Sequence, residues 1–241
     1  MMEVEYRDLG RMGYEECWAL QRSLFDALLG SKRGVATTDE AAHQGVGEAI
    51  GAGKAGWLLL VEHNPVYTLG KSGKESNMLI SEEYLRSIGA EFFRIDRGGD
   101  VTFHGPGQIV GYPILDLEKV GIGLREYIDL IEEAMIGVCR LWGIEAGRIS
   151  GASGVWIDPE GPRARKICAI GVRSSRYVTM HGFAFNVATD MRYFSHINPC
   201  GFVDKGVTSL EKELGHAVDI AVVREQLVEQ LSEKLNVKIY K

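Results

Sequence analysis

Arg97-Gly-Gly-Asp-Val-Thr-Phe-His-Gly-Pro-Gly-Gln108 is the densest concentration of special residues in the chain, with five Gly or Pro among its twelve positions. Gly98 and Gly99 let a main chain pass close to a ligand and expose amide donors. Gly105-Pro-Gly107 fixes a sharp turn that presents His104. A plain glycine-rich hairpin accounts for any one of these glycines. It accounts less well for Arg97, Thr102, His104 and Gln108 in the same dozen residues.

Outward from this segment the pattern is strand-like. Phe92–Ile95, Val101–Phe103, Ile109–Leu117 and Gly154–Ile157 are short runs bounded by Gly, Pro or Asp. Trp57–Val61 is an uninterrupted apolar run of the kind a buried strand carries. Asp158-Pro-Glu-Gly161 reads as a turn into a strand through Ile167–Val172, and 177–187 reads as another. Helical spacing marks 14–29, Leu124–Trp142 and about 219–235, and Ser81 caps a short helix ending at Gly89. Val237–Tyr240 is a candidate last strand. Residues 31–56, rich in Gly, Ala and polar groups, read as a connector carrying a short helix near 40–50. Strands and helices do not alternate regularly. The expected fold class is therefore α+β, a mixed, largely antiparallel sheet with flanking helices, in a single domain over 1–241.

Composition narrows the function. Apolar residues are 45% and charged residues 25% of 241, ordinary values for a soluble protein, and glycine, at 30 residues, is the outlier. The opening residues carry acidic groups and no apolar core of a signal peptide, and no apolar run approaches 18 residues; a cytoplasmic protein without a membrane span is expected. The net charge of −6 argues against a nucleic-acid partner. Gly70-Lys-Ser-Gly-Lys-Glu-Ser76 lacks the ending of a phosphate-binding loop. The glycines after Gly105 miss the dinucleotide spacing by one residue. His181, His196 and Cys200 have no paired short spacing that would complete a zinc site, so no metal is expected.

Four cysteines occur, at 17, 139, 168 and 200. Three fall in apolar periodic elements, whereas Cys200 sits between Pro199 and Gly201, the setting of a loop thiol open to chemistry. In Arg163-Ala-Arg-Lys-Ile-Cys-Ala-Ile-Gly-Val-Arg173, strict alternation puts Lys166, Cys168 and Ile170 on one strand face and Ile167, Ala169 and Gly171 on the other. A lysine opening an apolar strand is most often a solvated edge residue. The alternative is a partly buried amine that exchanges protons.

Taken together, these segments resemble the lipoyl(octanoyl) transferases over most of the chain. Tyr14–Gln21 is similar to the family's opening helix, and Glu62-His-Asn-Pro-Val-Tyr-Thr-Leu-Gly70 to its first buried strand and turn. Arg97–Gln108 resembles its most recognisable motif, with Phe103 where tyrosine is commoner. Lys166–Gly171 resembles its lysine motif, with Cys168 where a small residue is usual; His181–Val187 and Pro199–Gly201 complete the set. The 31–56 segment fits poorly and reads as an insertion. The resemblance implies the biotin/lipoate ligase-like fold and transfer of an octanoyl or lipoyl group. The donor would be octanoyl-acyl carrier protein. The acceptor would be a lysine of the lipoyl domains of 2-oxoacid dehydrogenase complexes or of the glycine cleavage H protein. It implies Cys200 as the nucleophile and Lys166 as its proton-exchanging partner. Arg97, Gly98, Gly99, Asp100, Val101, Thr102, Phe103, His104, Ala169, Ile170, Gly171, Gly182, Phe183 and Ala184 would line the acyl and carbonyl site. A thioester donor is already activated, so no cofactor is expected. Arg163, Arg165, Arg173 and Arg176 are candidates for a cationic docking surface. The rivals are an ATP-dependent ligase of the same fold, in which the lysine contacts an acyl-adenylate, and a non-catalytic acyl-binding module.

Overall fold

A strand that is apolar at every position needs cover on both faces, and Trp57-Leu-Leu-Leu-Val61 obtains it. In the computed structural model, which describes residues 1–33, 50–198 and 205–241, the chain order is β1 (Met2–Met12), α1 (Tyr14–Lys32), β2 (Lys54–His63), β3 (Val66–Leu69), α2 (Glu82–Ser87), β4 (Glu91–Arg94), β5 (Val101–His104), β6 (Gln108–Leu115), α3 (Leu117–Val120), α4 (Leu124–Leu141), β7 (Ala146–Ile149), β8 (Ala152–Ile157), β9 (Arg165–Ser175), β10 (Val178–Asn186), a 3-10 turn (Met191–His196), β11 (Gly206–Val207), α5 (Leu210–Leu214), α6 (Ile220–Leu235) and β12 (Val237–Tyr240). The main sheet runs β12-β1-β2-β6-β10-β9-β8-β7, with β11 beside β9; a small sheet runs β4-β3-β5.

Leu58 and Leu60 of β2, with Ile109, Leu115, Phe183 and Phe185, face Tyr127, Ile131 and Met135 of α4 and Leu227 and Leu231 of α6. Trp57, Leu59 and Val61, with Val110, Tyr112 and Ile114, face Cys17, Leu24, Phe25 and Leu28 of α1. The period-2 alternation of each central strand thus serves two helical layers. Tyr67, Val101 and Phe103 of the small sheet form a third apolar cluster with Ile197. The fold is α+β with a mixed sheet: β6 pairs antiparallel with β2 and β10, and β9 with β10 and β8, while β1 pairs parallel with β2 and β12.

The helices expected at 14–29, Leu124–Trp142 and 219–235 are α1, α4 and α6. Ser81 caps α2 by accepting from the Tyr84 amide at 3.2 Å. β1 was not legible, because its outward positions alternate charges and its apolar content is low. β7 was not legible either, because Ala146-Gly-Arg-Ile149 shows no alternation of apolar and polar residues. The connector expected over 31–56 shortens at both ends, since α1 continues to Lys32 and β2 begins at Lys54. The helix expected near 40–50 lies outside the described residues.

One close approach fixes the sheet beside the later site. A Cβ on Gly182 would lie 2.2 Å from the Gly111 carbonyl oxygen, a backbone atom that cannot move aside. Gly182→Ala should therefore lower unfolding stability by about 1–3 kcal/mol. Gly53→Ala, with nothing within 4 Å of its added carbon, should change it by less than about 0.5 kcal/mol. Denaturant melts of both variants check the contrast.

Candidate active site

β8 and β9 pair as Val155↔Cys168 and Trp156↔Lys166, so β9 carries one residue more than its partner, at Ile167. This β-bulge reverses the alternation. Ile167 and Cys168 both enter the core on the α4 side and are fully buried. Lys166 turns to the other face, where its Nζ lies 4.6 Å from the centre of the Trp156 ring and donates to the Ser153 carbonyl at 3.1 Å. The expectation that Lys166 and Cys168 share a face is thereby corrected. Cys168 packs in the core, and burial pushes its thiol well above the ordinary value. Burial likewise pushes Cys17 and Cys139 up to about 12. All three stay protonated thiols at neutral pH. Cys200 lies outside the described residues. The chain on either side of it does line a cleft with Lys166, through Phe194 before it and Lys205, Gly206 and Val207 after it. Val207 is the residue paired with Lys166 across β11 and β9.

The cleft has a volume of about 680 Å³. Residues of both β9 faces reach it, Ala169 and Gly171 on one and Ile170 and Val172 on the other. That is possible because β8 leaves β9 at Cys168; beyond this point, among the described residues, the Gly98 amide meets the side of β9 away from β10, donating to the Val172 carbonyl at 3.0 Å. Gly171 is required for that approach, since a Cβ there would stand 2.9 Å from the Gly98 carbonyl oxygen. Gly182, Phe183 and Ala184 of β10 form the floor, and Arg97, Gly98, Gly99, Asp100, Val101, Thr102 and His104 the opposite wall. Phe103 does not line the cleft. Strand alternation turns it into the small sheet's core, where it stacks on Tyr193 at 4.5 Å.

The Arg, His and Gln of the glycine-rich segment belong to one buried relay, joined through Thr68 of β3. Arg97 Nη2 donates to the Thr68 hydroxyl at 3.0 Å and to the Thr68 and Asp100 carbonyls. Gln108 Nε2 donates to the Phe103 carbonyl and to Asn186 Oδ1, so its Oε1 is left to accept from His104 Nδ1 at 2.8 Å. His104 Nε2 is then the unprotonated nitrogen and accepts from Thr68 at 3.4 Å. Complete burial agrees with that neutral tautomer, lowering His104 to about 3, and burial lowers neighbouring His63 to about 4. His63 bonds Tyr112, whose ring lines the cleft beside Tyr14.

His181, at φ +61°, hydrogen-bonds Asp96 through Nε2 at 2.8 Å; burial lowers its pKa despite that carboxylate. His196 instead bonds Tyr67 Oη at 2.8 Å. No group of three His, Cys, Asp or Glu among the described residues could hold a metal ion.

Tyr14, Tyr112, Leu124, Ile128, Ser153 and Trp156 also line the cleft without having been singled out as site residues. They come from elements distant in sequence, and only strand pairing brings Trp156 beneath Lys166. Two of the four arginines expected to form a cationic surface have partners within the chain. Arg165 is held by Glu213 through two hydrogen bonds and Arg173 by Asp96, so both charges are matched within the chain.

Fold and site together define the class: an α+β domain of the biotin/lipoate ligase-like fold, with a lysine set in a mostly apolar cleft at an open sheet edge. A family model described as the lipoyl protein ligase A/B catalytic domain matches residues 13–232. An octanoyltransferase of Bacteroides fragilis is 55% identical over 218 residues, 90% of this chain and 91% of the relative. One of Bacteroides thetaiotaomicron is 52% identical over 237 residues, 98% of this chain and 97% of the relative. The chain belongs to the lipoyl(octanoyl) transferase branch of the lipoyl protein ligase A/B family and is an acyltransferase. Two solved structures share the fold at a TM-score of 0.69. The bi-partite lipoate protein ligase of Thermoplasma acidophilum is 17% identical, covering 100% of this chain and 87% of its own. A lipoate-protein ligase A bound with ATP is 15% identical, covering 100% and 88%. No helix among the described residues is long and apolar enough to cross a membrane.

The buried neutral histidines set a pH dependence. An unfolded chain protonates His63, His104 and His181 as pH falls below about 6.5, whereas the native fold refuses the proton until near 4 or 3 for the first two. The unfolded state then binds more protons, so stability falls with falling pH. The melting temperature should drop steadily between pH 7 and 5, above the range in which carboxylates titrate. A flat profile there would mean that these rings accept protons in the folded state.

Proposed function

We propose that this chain transfers an octanoyl group from the thioester of acyl carrier protein to a lysine of a lipoyl domain, through a thioester on Cys200. What carries the reading is the contrast among the thiols. The three described cysteines are buried and held protonated, while the chain flanking Cys200 lines the one cleft into which the bulge turns Lys166. The relatives' names supply the acyl group.

The chemistry closes without an external energy source. Lys166 in its neutral form takes the proton of the Cys200 thiol, and the thiolate attacks the donor carbonyl. The C–S bond to the carrier breaks, and its thiolate takes the proton back from the Lys166 ammonium. Octanoyl is then held as a thioester of similar energy. A neutral acceptor amine attacks that carbonyl and its C–N bond forms. The bond to Cys200 breaks, and the surplus proton of the new amide passes to Lys166 and on to the Cys200 thiolate. Each tetrahedral intermediate needs donors aimed at its oxyanion. The open edge of β9 offers the backbone amide of Ile170, which alternates with the β10-facing groups of Ala169 and Gly171, such a donor being worth about 2.7–4 kcal/mol in other enzymes. The apolar side chains at Ile170, Phe183, Leu124 and Ile128 suit a saturated acyl chain. The same donor and acceptor are the partners, and the ATP-dependent ligase reading requires a nucleotide that this route does not consume.

Cys200→Ala and Lys166→Ala should each lower ATP-free transfer from octanoyl-acyl carrier protein to a lipoyl domain by at least about a thousandfold, with unchanged melting temperatures. Wild-type turnover in either variant, or turnover that requires added ATP, would contradict the mechanism.

A further inference from the structure

Lys166 owes its place to the bulge, and its ammonium meets the Ser153 carbonyl and the Trp156 ring. Both belong to the hairpin of β7 and β8, which sits at the end of the sheet and pairs with β9 only over Arg165–Cys168. Something must hold that hairpin in place. Glu132 does so from α4. It is a carboxylate only 5% exposed among apolar neighbours, and both of its oxygens are engaged. Oε1 accepts from the Gly154 amide at 2.8 Å, and Oε2 from Arg148 Nε at 2.8 Å. Arg148 is gripped again by Glu133 and the Asp129 carbonyl.

Gly154 is the critical contact. Its φ of +118° is open to glycine alone, and a Cβ there would strike the Cys168 carbonyl oxygen at 2.4 Å and approach Lys166 Cε to 3.4 Å. The residue before it supplies the carbonyl that holds Lys166, and two residues after it comes Trp156. A buried charge is costly unless its hydrogen bonds are complete, so a carboxylate in the α4 core needs more than packing to explain it.

We propose that Glu132 is a positioning residue for the acyl transfer: by holding the Gly154 amide it sets the Ser153 carbonyl and the Trp156 ring against which Lys166 is aimed. Arg148 completes the charge of Glu132 and ties the hairpin to α4 but does not touch Gly154. The inference rests on the assignment of Lys166 to proton exchange.

The test is single-turnover acylation by octanoyl-acyl carrier protein, with melting temperatures recorded alongside. Glu132→Ala should slow acylation roughly ten- to hundredfold at saturating donor, the scale of a misplacement of about 1 Å, with the donor concentration for half-maximal rate unchanged. Glu132→Gln, which keeps an oxygen for Gly154, should recover most of the rate, and Glu132→Asp, one methylene too short, should not. Arg148→Met should lose stability while acylating at close to the wild-type rate. If Glu132→Ala does not fold, the Gln and Asp pair decides alone. Equal rates in Gln and Asp, or losses that follow melting temperature across all variants including Arg148→Met, would overturn the positioning role. Lys166→Ala separates the two failures. If it acylates normally, the catalytic assignment itself falls; if it is inactive while the Glu132 variants are normal, only the present inference falls.

Discussion

One extra residue in β9 governs the site. Without the bulge at Ile167, strand alternation would put Lys166 with Cys168 on the α4 face, an amine against an apolar core. With it, two consecutive apolar residues share the core and the lysine crosses to the face that carries the cleft. The bulge also lies where β8 ends its pairing, so the place at which Lys166 is redirected adjoins the place at which the sheet edge opens. The bulge and the open edge thus lie together in one short segment that faces the cleft.

The opposite wall works by rigidity. Arg97, Thr68, His104, Gln108 and Asn186 satisfy one another in a chain of hydrogen bonds that leaves His104 a single tautomer. Each member is buried, so breaking any link strands a polar group away from water. This explains why Arg97, His104 and Gln108 cluster in the glycine-rich segment. Their side chains hold the wall, and the glycines let it approach β9.

Much of the architecture could be read in advance. The helical spacing of α1, α4 and α6 and the two-sided burial of Trp57–Val61 follow directly from the order of apolar residues. Residue type and family resemblance drew attention to the Arg97–Gln108 and Lys166–Gly171 segments, and both line the cleft. What was not legible depends on pairing. A bulge leaves no mark in a strand that is apolar at both Ile167 and Cys168, so the face of Lys166 came out inverted. Phe103 was carried into the site by its neighbours, although period-2 alternation sends it to Tyr193. The arginines at 165 and 173 read as a free cationic edge because their partners, Glu213 and Asp96, come from elsewhere in the chain.

The central claim is a covalent one, and mass is its direct measure. The protein mixed with octanoyl-acyl carrier protein in the absence of acceptor and ATP should gain the mass of one octanoyl group. Peptide mapping should place it on Cys200, and addition of a lipoyl domain should discharge it. An unmodified protein that still transfers the acyl group, or an adduct on any other residue, would contradict the account.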